Sequence, residues 1–165
     1  MRFEGKLYRA LNPVFARAPL SGEGAALHGG RFNPKGTPAL YTSLSVLTAL
    51  REANQVGSLQ PITLVSYDAD IARVFDASDQ AAMKAESMDA DALADSGWRD
   101  VMIKEGEAKT QAFARRLIKA GYHGLRVRSF TKGARADDFN LVLWRWGDAP
   151  PAKLTLIDDE NRLSQ

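Results

Sequence analysis

Residues 38–52 read PALYTSLSVLTALRE, and the rest of the fold is read outward from this stretch. Ala39 to Thr42 predict a short strand that runs straight into a helix, with Ser43 or Ser45 as N-cap and Gly57 just beyond the helix end. At about 100° per residue, Val46, Leu50 and Ala53 fall in one stripe, which predicts the buried face. Glu52 lies roughly 200° from Leu50 on the same wheel, on the side of Ser45 and Ala49, whose small side chains leave room for a ligand.

Upstream, Leu7 to Leu11 reads as a strand, followed by a loop from Asn12 to Pro38 rich in glycine and proline. Loops of that length are uncommon unless they carry function. Downstream, Ile62 to Tyr67 is a β-rich run, and Ala77 to Ala120 is largely helical in pattern. Within that block Phe113, Ala114, Leu117 and Ile118 make one buried stripe, and Gly121 closes the helix. Leu125 to Ser129, Asn140 to Trp146 and Lys153 to Ile157 then read as strands. Strands on both sides of a helical block predict an α+β fold in a single compact domain over 1–165. Residues 158–165 form a polar tail, expected to be frayed or held by a partner.

Composition removes several kinds of chemistry. There is no cysteine, so disulfides, thiolate catalysis and cysteine-based metal sites are excluded. His28 and His123 are the two histidines and have no ligand-spaced partner, so no metal is expected. Lys and Arg number 22 against 20 Asp and Glu, too even a balance for a polyanion-binding tail. With no signal-like or membrane-length apolar run, the reading is a cytoplasmic protein that engages neither membrane nor nucleic acid directly.

The stretch most suited to a ligand is His28-Gly-Gly30-Arg31-Phe-Asn33-Pro-Lys-Gly36. Glycine lets backbone approach a ligand closely, and a guanidinium can grip phosphate oxygens with two parallel hydrogen bonds. Taken alone, the stretch also reads as an ordinary turn with a solvated arginine. Tyr41, where strand meets helix, is placed to stack on a flat heterocycle or to sit half-buried in the core. Arg9 also reads as a surface cation and Glu52, although its helix position singles it out, also as a solvated helix carboxylate, while Ser129 and Asn140, small polar residues at strand ends, are individually uninformative.

In order along the chain, these residues carry a resemblance. Tyr8-Arg9, Gly30-Arg31-Phe-Asn33, Pro38-Ala-Leu-Tyr41-Thr-Ser43, Ala49-Leu-Arg-Glu52, Gly121-Tyr122-His-Gly124, Ser129 and Asn140 together resemble the RES-domain family of toxins encoded beside Xre-like antitoxins. The resemblance implies a mixed sheet with flanking helices, related to ADP-ribosyltransferase toxins, and an activity that consumes NAD by cleaving the nicotinamide–ribose bond. It implies Glu52 as the catalytic carboxylate, Arg31 on the diphosphate or adenosine side, and Tyr41 facing the nicotinamide. Arg9, Gly30, Ser129 and Asn140 would complete the NAD pocket. A cognate Xre-like antitoxin is the implied protein partner, self-association as a homodimer is compatible with the pattern, and the ADP-ribose acceptor is water, phosphate or a host protein side chain. Three positions depart from the family: Phe32 stands where tryptophan is frequent, His123 where an acid is, and Arg128 where a small residue precedes the serine.

Two other readings compete. Arg126, Arg128, Lys132 and Arg135 with Phe130 and Tyr122 could make an RNA-binding surface, although Asp137 and Asp138 interrupt it and no RNP-like pattern is present. A noncatalytic interaction domain on the same scaffold is the other.

Overall fold

The computed structural model describes residues 1–55 and 58–163. The strands are β1 (Phe3–Leu11), β2 (Leu40–Ser43), β3 (Thr63–Ile71), β4 (Val74–Asp76), β5 (Gly124–Arg128), β6 (Phe139–Leu143) and β7 (Ala152–Leu156). They form one seven-stranded sheet in the order β4-β5-β6-β2-β1-β3-β7. The helices are α1 (Glu23–His28), α2 (Val46–Ala53), α3 (Gln80–Ala85), α4 (Ala90–Ala94), α5 (Trp98–Glu105) and α6 (Lys109–Lys119). The expected α+β class and mixed sheet are what the chain adopts: β4 and β5 run parallel while the other pairs are antiparallel.

Both faces of the sheet are buried, and β6 shows how one strand serves both. Leu141 and Leu143 belong to one apolar cluster and Val142 to the other, the alternation a pleated strand imposes. On the first face Phe75, Leu125, Val127 and Val142 pack under Phe113, Ala114 and Leu117 of α6, the stripe its sequence predicts. The buried core of the second face, from Leu7 and Leu40 to Tyr67 and Leu154, comes from strands alone, so the sheet curls over its own concave side. The curl brings β4 round to the start of the chain, where the Met1 amino group donates to the Val74 carbonyl and the Val74 amide to the Met1 carbonyl, both at 2.8 Å.

Several expectations are corrected. β1 begins at Phe3, not Leu7, and pairs with β3 along nine residues up to Phe3↔Ile71. Outward charges on these strands, joined as Arg2–Asp70 and Lys6–Asp68, interrupt the apolar pattern that marks a strand. The long loop holds a 3-10 turn at Pro13–Phe15 and the whole of α1. The helical block is four helices, broken where Ser87 and Gly106 take positive φ and at Asp95. β6 stops at Leu143, beyond which the amides of Trp144 and Arg145 both donate to the His123 carbonyl, at 2.8 and 3.2 Å, and break the ladder; the Trp144 indole donates to the Phe32 carbonyl at 2.8 Å and that of Trp146 to the Leu20 carbonyl at 2.9 Å. The tail is not loose as far as Leu163, which packs on the second cluster while the Asp158 carboxylate accepts from the amides of Arg162 and Leu163.

The correction that bears on function concerns α2. Ser45 is its N-cap, accepting from the Thr48 amide, and Gly57 lies outside the described residues. Its buried side is Thr48 and Ala49, whereas Val46 is 37% and Leu47 63% exposed. Small side chains let the helix settle closely on β1 and β2, so Val46 and Leu47 face outward, while of the rest of the expected stripe Leu50 is half-buried and Ala53 exposed. Glu52, three residues after Ala49, is carried by the sheet-facing side and not by a solvated one.

Phe113 is fully buried and meets Phe75 edge-on at 5.6 Å. Phe113→Ala is expected to lower unfolding free energy by about 3–5 kcal/mol, as for other large core truncations. Urea denaturation followed by circular dichroism checks this, and a loss under about 1 kcal/mol would show that α6 is not the lid of this core.

Candidate active site

The glycine loop is irregular in backbone yet tightly pinned. Gly30 and Asn33 exchange backbone hydrogen bonds across a turn, projecting Arg31 and Phe32 from it. The Asn33 side chain is fully buried and spans the loop: Nδ2 donates to the carbonyls of Ala25 at 2.8 Å and Thr37 at 2.9 Å. Its Oδ1 accepts from the Tyr41 hydroxyl at 2.6 Å. Buried Gln111 of α6 donates to the carbonyls of Gly30 and Asn33. A side chain at Gly30 would collide with the Tyr41 hydroxyl and the Asn33 amide, so glycine here is a packing requirement.

Tyr41 is thereby fixed from both ends. Its hydroxyl donates to Asn33 and accepts from the Phe32 amide at 3.1 Å, while its ring lines a cleft of about 470 Å³. Burial pushes the phenol far above its ordinary value, so it stays neutral.

Strand register assembles the opposite wall. Ser43 faces Asn140 across the β2–β6 pair, and Val127 faces Asn140 across β5–β6. Ser129, two residues beyond Val127, continues on the same side. The Ser43 hydroxyl donates to Asn140 Oδ1 at 2.7 Å, leaving the Asn140 amide nitrogen to donate to Glu52 Oε1. Ser129 donates to that oxygen at 2.6 Å. The other oxygen, Oε2, accepts from Gln55 at 2.8 Å in an exposed contact. Glu52 is thus held on its inner oxygen by two strands and open to the cleft on its outer one.

A further network holds the loop between β5 and β6. Asp138 accepts from Arg51 at 2.9 Å, from the Thr48 hydroxyl at 3.2 Å and from the Arg135 amide at 2.7 Å, and its carbonyl accepts from the Ser129 amide at 2.8 Å. Helix α2 and the strand end bearing Ser129 are therefore tied together next to Glu52.

Arg31 reaches into the same cleft. One guanidinium nitrogen donates to the carbonyls of Leu93 at 2.8 Å and Asp95 at 3.3 Å, and the group lies 5.1 Å from the centre of the Phe130 ring. Burial lowers its basicity, with Glu52 and Asp95 opposing that effect electrostatically. The remaining N–H groups can take an anion in the cleft.

Of the residues expected in the site, Gly30, Arg31, Tyr41, Glu52, Ser129 and Asn140 come together. Arg9 does not join them through its side chain. It alternates with Tyr8 on β1, and its guanidinium donates to the Pro19 carbonyl at 3.4 Å beside Tyr67. Arg9 lines only an adjoining groove of about 280 Å³ that shares Tyr41, Ser43 and Glu52. Sequence reasoning missed Gln55, Thr131, Asp138 and Trp98 as site residues, and read Ser43 as a candidate cap and part of a family block without a place in the site. The positions of Ser43 and Asp138 depend on cross-strand register, which the sequence does not display. The basic cluster does not make one surface: Arg126 pairs with Asp76 and lies 3.7 Å from the Phe139 ring centre, and Tyr122 packs edge-on to Phe75. Among the described residues no group of His, Asp or Glu is arranged to hold a metal ion, and no helix is long and apolar enough to cross a membrane.

Tyr41→Phe keeps the ring and strips Asn33 Oδ1 and the Phe32 amide of a partner, which should cost about 1–3 kcal/mol at neutral pH. The phenol's raised value also has a pH signature. Stability from neutral Tyr41 is fully present below about pH 10, where the unfolded phenol begins to ionise, and is lost as pH rises above it. Denaturation series from pH 8 upward should therefore fall less steeply in Tyr41→Phe than in the parent. Parallel curves would show that the hydroxyl is not enclosed.

Among curated proteins the chain has no match. It is similar in fold to a chain of the crystal structure of the M. tuberculosis MbcT–MbcA toxin–antitoxin complex, with a TM-score of 0.67 and 21% identity, covering 96% of this chain and 84% of that one. The family model described as RES domain matches residues 6–163. The blocks from Tyr8-Arg9 to Asn140 lie within that span, and the chain belongs to the RES domain family.

Proposed function

We propose that this protein is the toxin of a toxin–antitoxin pair and cleaves NAD at the bond between nicotinamide and ribose, passing ADP-ribose to an acceptor. The observation that carries the reading is that the Glu52 carboxylate, held by Ser129 and Asn140, opens onto the cleft into which Arg31 projects. The cleft's volume, about 470 Å³, is in the range of small-molecule sites.

The reaction needs these groups in these places. As the C–N bond breaks, its electron pair goes to the nicotinamide nitrogen, which becomes neutral, and positive charge builds on the ribose as in glycoside hydrolysis. A fixed carboxylate stabilises that charge, and a neutral leaving group requires no strong acid. Ser129 and Asn140 stop Glu52 from swinging away, while the exposed Gln55 contact is the one a ribose hydroxyl would replace. Arg31 contributes little to bond cleavage itself but holds the diphosphate so that the ribose meets Glu52 in register. The neutral Tyr41 ring offers a flat face to the nicotinamide. An acceptor then attacks C1 and loses a proton; water, phosphate and a protein side chain all satisfy this chemistry. An enzyme that drains the cytoplasmic NAD pool must be restrained in its own cell, which supplies the reason for a cognate Xre-like antitoxin that covers the cleft.

Glu52→Gln is nearly isosteric and should lower nicotinamide release from NAD by about two to three orders of magnitude with folding intact. Undiminished release would remove Glu52 from the chemistry. Arg31→Lys should raise the KM for NAD, because an ammonium cannot reproduce the planar fork. An unchanged KM, with only thermal stability lost, would make Arg31 a structural residue. Running the parent protein with and without phosphate and cell extract, and following the ADP-ribose, separates the three acceptors.

A further inference from the structure

Trp98 begins α5 and stands in the wall of the cleft, half-buried. The other two tryptophans donate their indole N–H to backbone carbonyls, Trp144 to Phe32 and Trp146 to Leu20. Among the described residues no acceptor takes the Trp98 N–H. Its ring instead has the exposed Arg99 guanidinium 5.0 Å from its centre. A half-buried indole in the cleft wall, with an unused donor and a neighbouring cation, is a surface suited to a flat, electron-rich heterocycle.

The position of this ring relative to Glu52 is set by Arg31. That guanidinium bonds the carbonyls of Leu93 and Asp95, the residues leading into Trp98, and also interacts electrostatically with Glu52. Arg31 thus links the segment leading into the indole with the surroundings of the carboxylate, so a ligand spanning the cleft can meet carboxylate, guanidinium and indole in turn. A nicotinamide dinucleotide presents its reacting ribose, its diphosphate and its purine in the same order.

We infer that Trp98, with Arg99 beside it, is a purine-binding subsite that takes the adenine end of the substrate and makes the enzyme select a dinucleotide over a mononucleotide. This rests on the NAD reading for the identity of the substrate, but the stacking surface is testable without it.

The test compares the parent protein with Trp98→Ala and Trp98→Phe. Kinetics use NAD and nicotinamide mononucleotide, which carries the same scissile bond without the adenosine; calorimetry uses AMP as a ligand that needs no catalysis. Loss of one base–aromatic stack predicts a rise of roughly tenfold to a hundredfold in the KM for NAD in Trp98→Ala, with kcat within about twofold. Nicotinamide mononucleotide should show no such rise, and Trp98→Phe should restore most of the NAD affinity. AMP should bind the parent and Trp98→Phe, and bind Trp98→Ala at least tenfold more weakly. Equal losses on both substrates, or AMP affinity equal in all three proteins, would overturn the subsite even where NAD is cleaved. AMP binding that depends on Trp98, in a protein that leaves NAD intact, would uphold the subsite and remove the NAD reading instead.

Discussion

The Glu52 carboxylate is where helix α2, strand β6 and the end of strand β5 meet. Ser129 and Asn140 both donate to its inner oxygen, and Ser43 fixes Asn140 in turn by donating to the amide's own oxygen. Each partner is used in its only compatible sense: an asparagine that must accept from Ser43 through oxygen can give Glu52 only its nitrogen. A short helix with small residues against the sheet makes the approach possible. The same constraint leaves Val46 and Leu47 exposed, an arrangement that a helix folded for burial alone would not adopt.

In the proposed reaction a carboxylate held this firmly requires a substrate held with equal firmness, and that task would fall to a segment without regular structure. The glycine loop is organised by side-chain amides instead of a backbone ladder, with Asn33 bridging Ala25, Thr37 and Tyr41 and Gln111 reaching in from α6. Both amides are fully buried, so each broken contact would leave a polar group without water. Arg31 inherits that rigidity and is further anchored to α4. Fixed donors and a fixed carboxylate facing one cleft is preorganisation, in which little rearrangement is left for the moment of reaction.

Much of this was legible in the sequence, for identifiable reasons. The α6 stripe and the strand-to-helix step at Tyr41 are local patterns, and they appear where expected. The order of blocks from Arg31 to Asn140 carried the family and most of the site. What could not be read depends on partners distant in sequence. Glu52 was placed on the correct side of α2, but that side is the buried one, because burial was decided by how closely Ala49 could approach the sheet and not by where the larger apolar residues lie. Arg9 stays out of the main cleft because strand alternation separates its side chain from that of Tyr8 and its guanidinium goes to the Pro19 carbonyl beside Tyr67. Trp98 and Asp138 enter the site through the α4–α5 corner and the β5–β6 loop, which no short-range signal joins to the glycine loop.

The most direct measurement is a crystal structure of the Glu52→Gln protein soaked with NAD. The account predicts the ribose C1 facing residue 52 and the diphosphate oxygens within hydrogen-bond reach of the Arg31 guanidinium. NAD bound outside this cleft, or lying in it with the diphosphate at residue 52 and the nicotinamide ribose away from it, would contradict the account.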